Sequence, residues 1–266
     1  MDIVRALEAA DGLTCVVGAG GKKTTLYALG RRLDRAVLTT TVRIPHFEHA
    51  VERVVVTEDP IAALAEHTDE WPLGLVHERE GDRYTGYDPE TVAAINSAHN
   101  GPVLVKADGA RTREFKAPND REPQLPATAD VVVPVASVAA VGRPLDEETV
   151  HRPARVRALT GLERGETVTP EAVATVLAHP DGGLQSVPRG ATVVPLLNKV
   201  DDPAAEAVGR TIAEAFFERL GSGGNDPASS TSIAAAGVDV PRVVLARMID
   251  ARVVACVEPP GRLGNR

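Results

Sequence analysis

Apolar residues along this chain come in short, nearly unbroken runs near 13–17, 36–40, 53–57, 102–107, 130–135 and 192–197, with helix-period patterns between them. Runs of strand length that do not alternate with polar residues predict strands buried on both faces. Their alternation with helices predicts an α/β fold, a mostly parallel sheet with helices on both faces. Four helix starts are legible. Asp59-Pro60, Asp88-Pro89, Thr169-Pro170 and Asp202-Pro203 each set a capping side chain before a proline suited to the first helical position. Residues 203–220 carry Ala204, Ala207, Val208, Ile212, Ala215, Phe216 and Leu220 at helical spacing, which predicts a helix packed on the sheet beside strand 192–197. Residues 112–128 have no apolar period and read as a long loop over the sheet edge. One α/β domain is expected over residues 1–220, a flexible linker over 221–232, strands completing the same domain over 233–257, and a tail over 258–266.

The first strand ends in Gly18-Ala19-Gly20-Gly21-Lys22-Lys23-Thr24-Thr25 at the head of a helix. Glycines let the backbone turn and aim N–H groups at an anion. The helix start adds positive dipole, a lysine reaches terminal phosphates, and a hydroxyl can ligate magnesium. The register is imperfect. If Lys23-Thr24 is the lysine–hydroxyl pair, Lys22 stands where glycine belongs; if Lys22 is the lysine, Lys23 stands at the hydroxyl. The bland alternative is a glycine turn closing a strand-to-helix corner. A dinucleotide fingerprint fits less well, because Lys23 occupies its third glycine and the second strand ends in Thr39-Thr40-Thr41, with no acid for a ribose.

Two further strand ends carry chemistry. Strand 192–197 runs into Asn198-Lys199-Val200-Asp201. An Asp carboxylate only accepts hydrogen bonds, so it suits the N1–H and amine edge of guanine and repels adenine, with Asn198 on the base edge and the Lys199 stem along the ring. A surface turn or a helix cap from Asp201 or Asp202 would explain the same residues without a ligand. Strand 102–107 ends in Asp108, positioned like a magnesium-associated carboxylate, with Arg111, Arg113 and Lys116 close behind as cations for an anion. The competing reading is a common Asp-Gly turn. His151 is a candidate acid or base, but a lone His before Arg-Pro is more often a helix cap or loop anchor, and Arg152 and Arg155 are candidate anion contacts or a solvated helix face.

Composition narrows the partners. Residues are 43% hydrophobic and only 3% aromatic, which predicts a Val/Leu/Ala/Ile core. A net charge of −8 argues against general nucleic-acid binding. Five of the 29 basic residues are lysines, and three of those, Lys22, Lys23 and Lys199, fall in the motifs above. Cys15 and Cys256 have no metal-ligand spacing, and no run of 18 apolar residues or secretion signal occurs, so a cytoplasmic protein without a membrane partner is expected.

Gly18-Ala-Gly-Gly-Lys, Ala107-Asp-Gly-Ala-Arg, Lys116-Ala-Pro, Glu122-Pro, Gly142-x-Pro-Leu, Val150-His-Arg-Pro and Asn198-Lys-x-Asp, in this order, resemble the landmarks of the YqeC family. The doubled lysine departs from the single Lys expected before the Thr pair. The resemblance implies an accessory or selenium-cofactor biosynthesis protein for selenium-dependent molybdenum hydroxylases, and with it a hydroxylase or its maturation proteins as partner. Combined with the motifs, the expectation is a P-loop NTPase-like protein, GTP favoured over ATP. Gly18–Thr25 would hold the phosphates, Thr24 and Asp108 would hold Mg2+, and Asn198, Lys199 and Asp201 would hold the base. Lys23, Asp108, Arg111 and Arg113 are the catalytic candidates. The alternatives are an ATP-dependent ligase or kinase with a short phosphate loop, and a cofactor chaperone that binds nucleotide without turnover.

Overall fold

A computed structural model describes residues 1–222 and 237–261. The helices are α1 (Ile3–Ala6), α2 (Lys22–Gly30), α3 (Pro60–Glu66), α4 (Pro89–Ala98), α5 (Pro153–Thr160), α6 (Pro170–Ala178) and α7 (Pro203–Ser222). The strands begin with β1 (Leu13–Gly18), β2 (Val37–Thr40), β3 (Ile44–Pro45), β4 (Arg53–Val56), β5 (Leu73–Val76), β6 (Glu78–Glu80), β7 (Arg83–Thr85) and β8 (Val103–Lys106). They continue with β9 (Phe115–Lys116), β10 (Val131–Ser137), β11 (Val150–His151), β12 (Thr192–Val193), β13 (Leu196–Asn198), β14 (Val243–Arg247) and β15 (Arg252–Val257).

Ten strands form the main sheet in the order β15-β14-β13-β10-β1-β8-β2-β5-β4, with β12 also on β10. Every pair in it is parallel except β14 with β15. Helices cover both faces, and the first strand explains why its apolar run does not alternate. Leu13, Cys15 and Val17 face a core shared with Val92 and Ile95 of α4, Val173 and Leu177 of α6 and Phe216 of α7. Val16 faces a second core with Ile3 of α1 and Leu26 and Leu29 of α2. The Cys15 thiol is fully buried, and burial raises its pKa.

All four Asp/Thr-Pro starts open helices, with Asp59, Asp88, Thr169 and Asp202 accepting from the N–H groups of Ala62, Thr91, Ala172 and Ala205. Four features differ from the sequence pattern. The run 192–197 is two short strands separated at Pro195, which has no N–H for a ladder. Leu73–Val76 is a strand of the main sheet, next to its edge strand β4, and the small sheet β3-β7-β6 is extra. Ala204 and Ala207 of α7 are exposed; its buried stripe is Gly209, Ile212, Ala213, Phe216 and Phe217, packed on α6, β14 and β15. Finally, the 112–128 segment crosses the C-terminal ends of central strands: Gly20 N–H donates to Arg113 O, Ser137 N–H to Glu114 O and Gln124 N–H to Ala107 O. Of the expected linker and tail, residues 223–232 and 262–266 lie outside the described residues. Among the described residues no helix is long and apolar enough to cross a membrane.

Candidate functional site

The chain visits β2, β4, β5 and β8 on one side of β1 before crossing to β10, β13 and β14 on the other. Connections therefore diverge at the C-terminal end of β1, where open α/β sheets form a crevice. Gly18, Gly20 and Gly21 all have positive φ there (91°, 84° and 146°). A side chain at Gly18 would run into the Val135 carbonyl, and one at Gly21 into the Asn198 carboxamide. These positions need glycine for both reasons.

The loop amides point inward. Gly18 N–H donates to Asp108 Oδ2 at 2.8 Å, Ala19 N–H to Val135 O at 2.8 Å and Gly20 N–H to Arg113 O at 2.9 Å. Helical bonding begins with Thr25 N–H to Gly21 O at 2.9 Å. The N–H groups of Gly21, Lys22, Lys23 and Thr24 are thus the unpaired first turn of α2, with no partner among the described residues. Any anion held by backbone here is held by the helix start, while Gly18–Gly20 shape the turn.

Behind the loop lies a chain of ion pairs, buried at Lys22, Asp108 and Lys116 and partly exposed at Glu122 and Arg152. Lys22 Nζ is 2.7 Å from Asp108 Oδ1, off the line of a hydrogen bond, and also donates to Gly18 O. Lys116 Nζ lies 2.8 Å from Asp108 Oδ2, 3.0 Å from Glu122 Oε2 and 2.6 Å from Gly109 O. Arg152 completes the chain at 2.7 Å from Glu122 Oε2. Asp108 is 1% exposed; burial alone would raise its pKa, but Lys22 and Lys116 hold the carboxyl below its usual range. Glu122 is likewise depressed: burial acts upward and Arg152 and Lys116 outweigh it.

The expectation is that Asp108 and Thr24 hold Mg2+, and in this arrangement Asp108 faces lysines instead. The Asp108 carboxylate is occupied by two ammonium groups and an amide, and no set of three His, Cys, Asp or Glu residues among the described ones is placed to hold a metal ion. The pair does not fit the ion as arranged, and Asp108 acts on its lysines. The Thr24 hydroxyl makes no hydrogen bond among the described residues, and that of Thr25 turns back to Gly21 O at 3.1 Å.

Asn198 ties the second motif to the first. Its Nδ2 donates to Gly20 O at 2.7 Å, and its Oδ1 accepts from Met248 N–H at 2.9 Å. Lys199, at φ 63°, places its Nζ 2.6 Å from Glu114 Oε1. Asp202, not Asp201, caps α7. Asp201 is exposed and among the described residues meets only Arg247, at 3.5 Å, a pair worth little in solvent. Lys23, Arg111 and Arg113 make no side-chain hydrogen bond or ion pair among the described residues. Arg111 and Thr112 both hold left-handed backbone (φ 48° and 60°), the kind of strain that collects at functional loops.

His151 lies beside Lys116 in the β9/β11 pair and has no hydrogen-bond partner among the described residues. Burial, then Arg152 and Lys116, push it down to about 4, with Glu122 opposing and Arg111 adding to the shift. Its folded pKa is below its unfolded one, so the stability it confers is complete above about pH 6.5 and is lost as pH falls toward 4. Thermal melts of His151→Gln are expected to decline less than wild type across that window. Parallel curves would contradict this.

Sequence reasoning missed Lys106 and the ion pairs that Glu122, noted only as a landmark, makes with Lys116 and Arg152. Lys106 is 6% exposed; its Nζ donates to Arg43 O at 2.9 Å, and burial together with Lys22 brings its pKa to about 7. A signal existed. In a chain that uses arginine almost everywhere, all five lysines, at 22, 23, 106, 116 and 199, gather around this one strand end.

The family model described as YqeC protein matches residues 14–154, from β1 into the start of α5. A curated relative from Escherichia coli strain K12, an uncharacterized protein YqeC, is 30% identical over 191 residues, covering 69% of this chain and 74% of that protein. The whole chain of ion pairs from Lys22 to Arg152 falls inside the family match, and this protein belongs to the YqeC family.

Proposed function

We propose that this protein binds a nucleotide, GTP in preference to ATP, at the C-terminal end of β1, and works as a P-loop NTPase-like accessory factor in selenium and molybdenum cofactor maturation. The observation that carries the reading is Asn198, whose carboxamide joins Gly20 to Met248 and so holds the Asn-Lys-x-Asp segment against the glycine loop. Phosphates would lie on the free amides of Gly21–Thr24 with Lys23 beside them, and the base would reach Asp201. Arg111 and Arg113, on the loop over the same strand ends and without a side-chain partner among the described residues, are the cations available to charge developing on a transferred phosphoryl group. Membership of the family supports the pathway, and the partner would be a selenium-dependent molybdenum hydroxylase or its maturation machinery.

The doubled lysine acquires two roles. Lys22 is sealed against Asp108, while Lys23 is free to meet phosphate. Lys23→Ala is expected to weaken GTP binding about tenfold with little change in melting temperature, as loss of one charged hydrogen bond would. Lys22→Ala should mainly lower the melting temperature. Titration calorimetry beside thermal melts checks both, and the reverse pattern would exchange the roles.

The ligase or kinase reading keeps one specific support: Lys22 directly follows the cap Gly21, giving a phosphate loop shorter than the usual one. ATP binding with no response to GTP would favour it. Turnover measured with and without a hydroxylase partner separates an NTPase from a cofactor chaperone that only switches.

A further inference from the structure

We propose that Lys106 forms the floor of a site for a doubly charged phosphoryl group beneath the start of α2, resting on the reading that phosphates occupy that helix start. Four cations, Lys22, Lys106, Lys116 and Arg152, face two carboxylates, Asp108 and Glu122. Lys22 and Lys116 share Asp108, and Lys116 and Arg152 share Glu122. Among the described residues no carboxylate lies within ion-pair distance of Lys106, although Asp108 and Glu122 act on it from farther off. One of its N–H groups meets Arg43 O, and the other two have no partner among the described residues. A nearly buried ammonium without a counter-charge is costly, and proteins pair such groups or neutralise them.

Its position names what would pair it. Lys106 stands opposite Val16 of β1 and Thr40 of β2. It follows Leu104 by two residues, so it shares the sheet face that Leu104 packs against Leu26 and Leu29 of α2. The same face lies under the helix whose first-turn amides are free. Ammonium and first-turn amides thus lie on the same side of the sheet; an anion between them would hold Lys106 protonated, and four cations against two carboxylates would then match a phosphoryl dianion better than a carboxylate. The neighbouring Lys199–Glu114 pair is balanced and takes no part.

The test is Lys106→Met, with Lys106→Arg beside it, in thermal melts and calorimetry with sodium orthophosphate, GTP and ATP, using sodium chloride at matched ionic strength as control. Without ligand, Lys106→Met should melt higher than wild type, because an uncompensated buried charge is gone. Wild type should gain melting temperature on adding orthophosphate; Lys106→Met should lose that gain and bind at least about tenfold more weakly. Lys106→Arg should keep most of it. A purely structural lysine would give the opposite sign in the first measurement. If Lys106→Met melts lower and binds orthophosphate and GTP as tightly as wild type, or if wild type responds to neither, the inference fails. Loss of the orthophosphate response in Lys106→Met, with no nucleotide bound by either protein, would sustain the phosphoryl site and remove the nucleotide reading.

Discussion

Asp108→Asn is expected to cost the fold about 3–5 kcal/mol, the usual consequence of removing one partner from a buried ion pair. The amide can still accept from Gly18 N–H, but it no longer neutralises the two ammonium groups at 2.7 and 2.8 Å. Lys116 keeps Glu122 and Gly109 O, whereas Lys22 is left with the Gly18 carbonyl alone. Most of the loss therefore comes from Lys22. Adding Lys22→Met to Asp108→Asn should return part of it, a coupling of about 0.5–3 kcal/mol between contacting residues. Because Asp108 is held ionised, the difference between wild type and variant should be flat across neutral pH. Urea denaturation of the four proteins in the cycle measures it. A change within about 0.5 kcal/mol, as for a surface substitution, would mean that Asp108 is an open ligand and not the anchor of two lysines.

Much of the scaffold can be read in the chain because the forces that set it are local. Asp59, Asp88, Thr169 and Asp202 reveal their helices because each cap and the N–H it meets are three residues apart. The run from Leu13 to Val17 reveals a central strand because both faces are buried, so every side chain must be small or apolar. Strand β5 gives no such signal. Leu73-Gly-Leu-Val is short and interrupted by Gly74, and its pairing with β2 and β4 makes it a strand. A side chain at Gly74 would press on the ring of Phe47, so the glycine that obscures the strand serves its packing.

The site divides in the same way. Gly18, Gly20 and Gly21 are legible because positive φ admits few other residues. The ion pairs are not, since Lys22 meets Asp108 only because β1 and β8 are neighbours, and Arg152 meets Glu122 only because β11 pairs with β9. Strand order decides those contacts, and spacing along the chain does not contain it. The sequence also offers Asp201 and Asp202 as interchangeable caps. The structure separates them, giving the cap to Asp202 and leaving Asp201 in solvent beside Arg247.

That separation makes Asp201→Asn the most informative substitution. Asp201 is exposed and its pair with Arg247 is weak, so the variant should fold with unchanged stability. A guanine held by this carboxylate would lose two charge-assisted hydrogen bonds, and its affinity should fall roughly 10²–10⁴-fold. Xanthine carries an oxygen where guanine carries the amine, so an amide in place of the carboxylate can donate to it, and XTP should bind the variant better than GTP. The decisive measurement is calorimetric titration of GTP, XTP and ATP into wild type and Asp201→Asn. GTP preference in wild type that passes to XTP in the variant is the predicted result. Equal GTP affinity in the two proteins, or tighter binding of ATP than GTP by wild type, would contradict a guanine site at Asn198–Asp201.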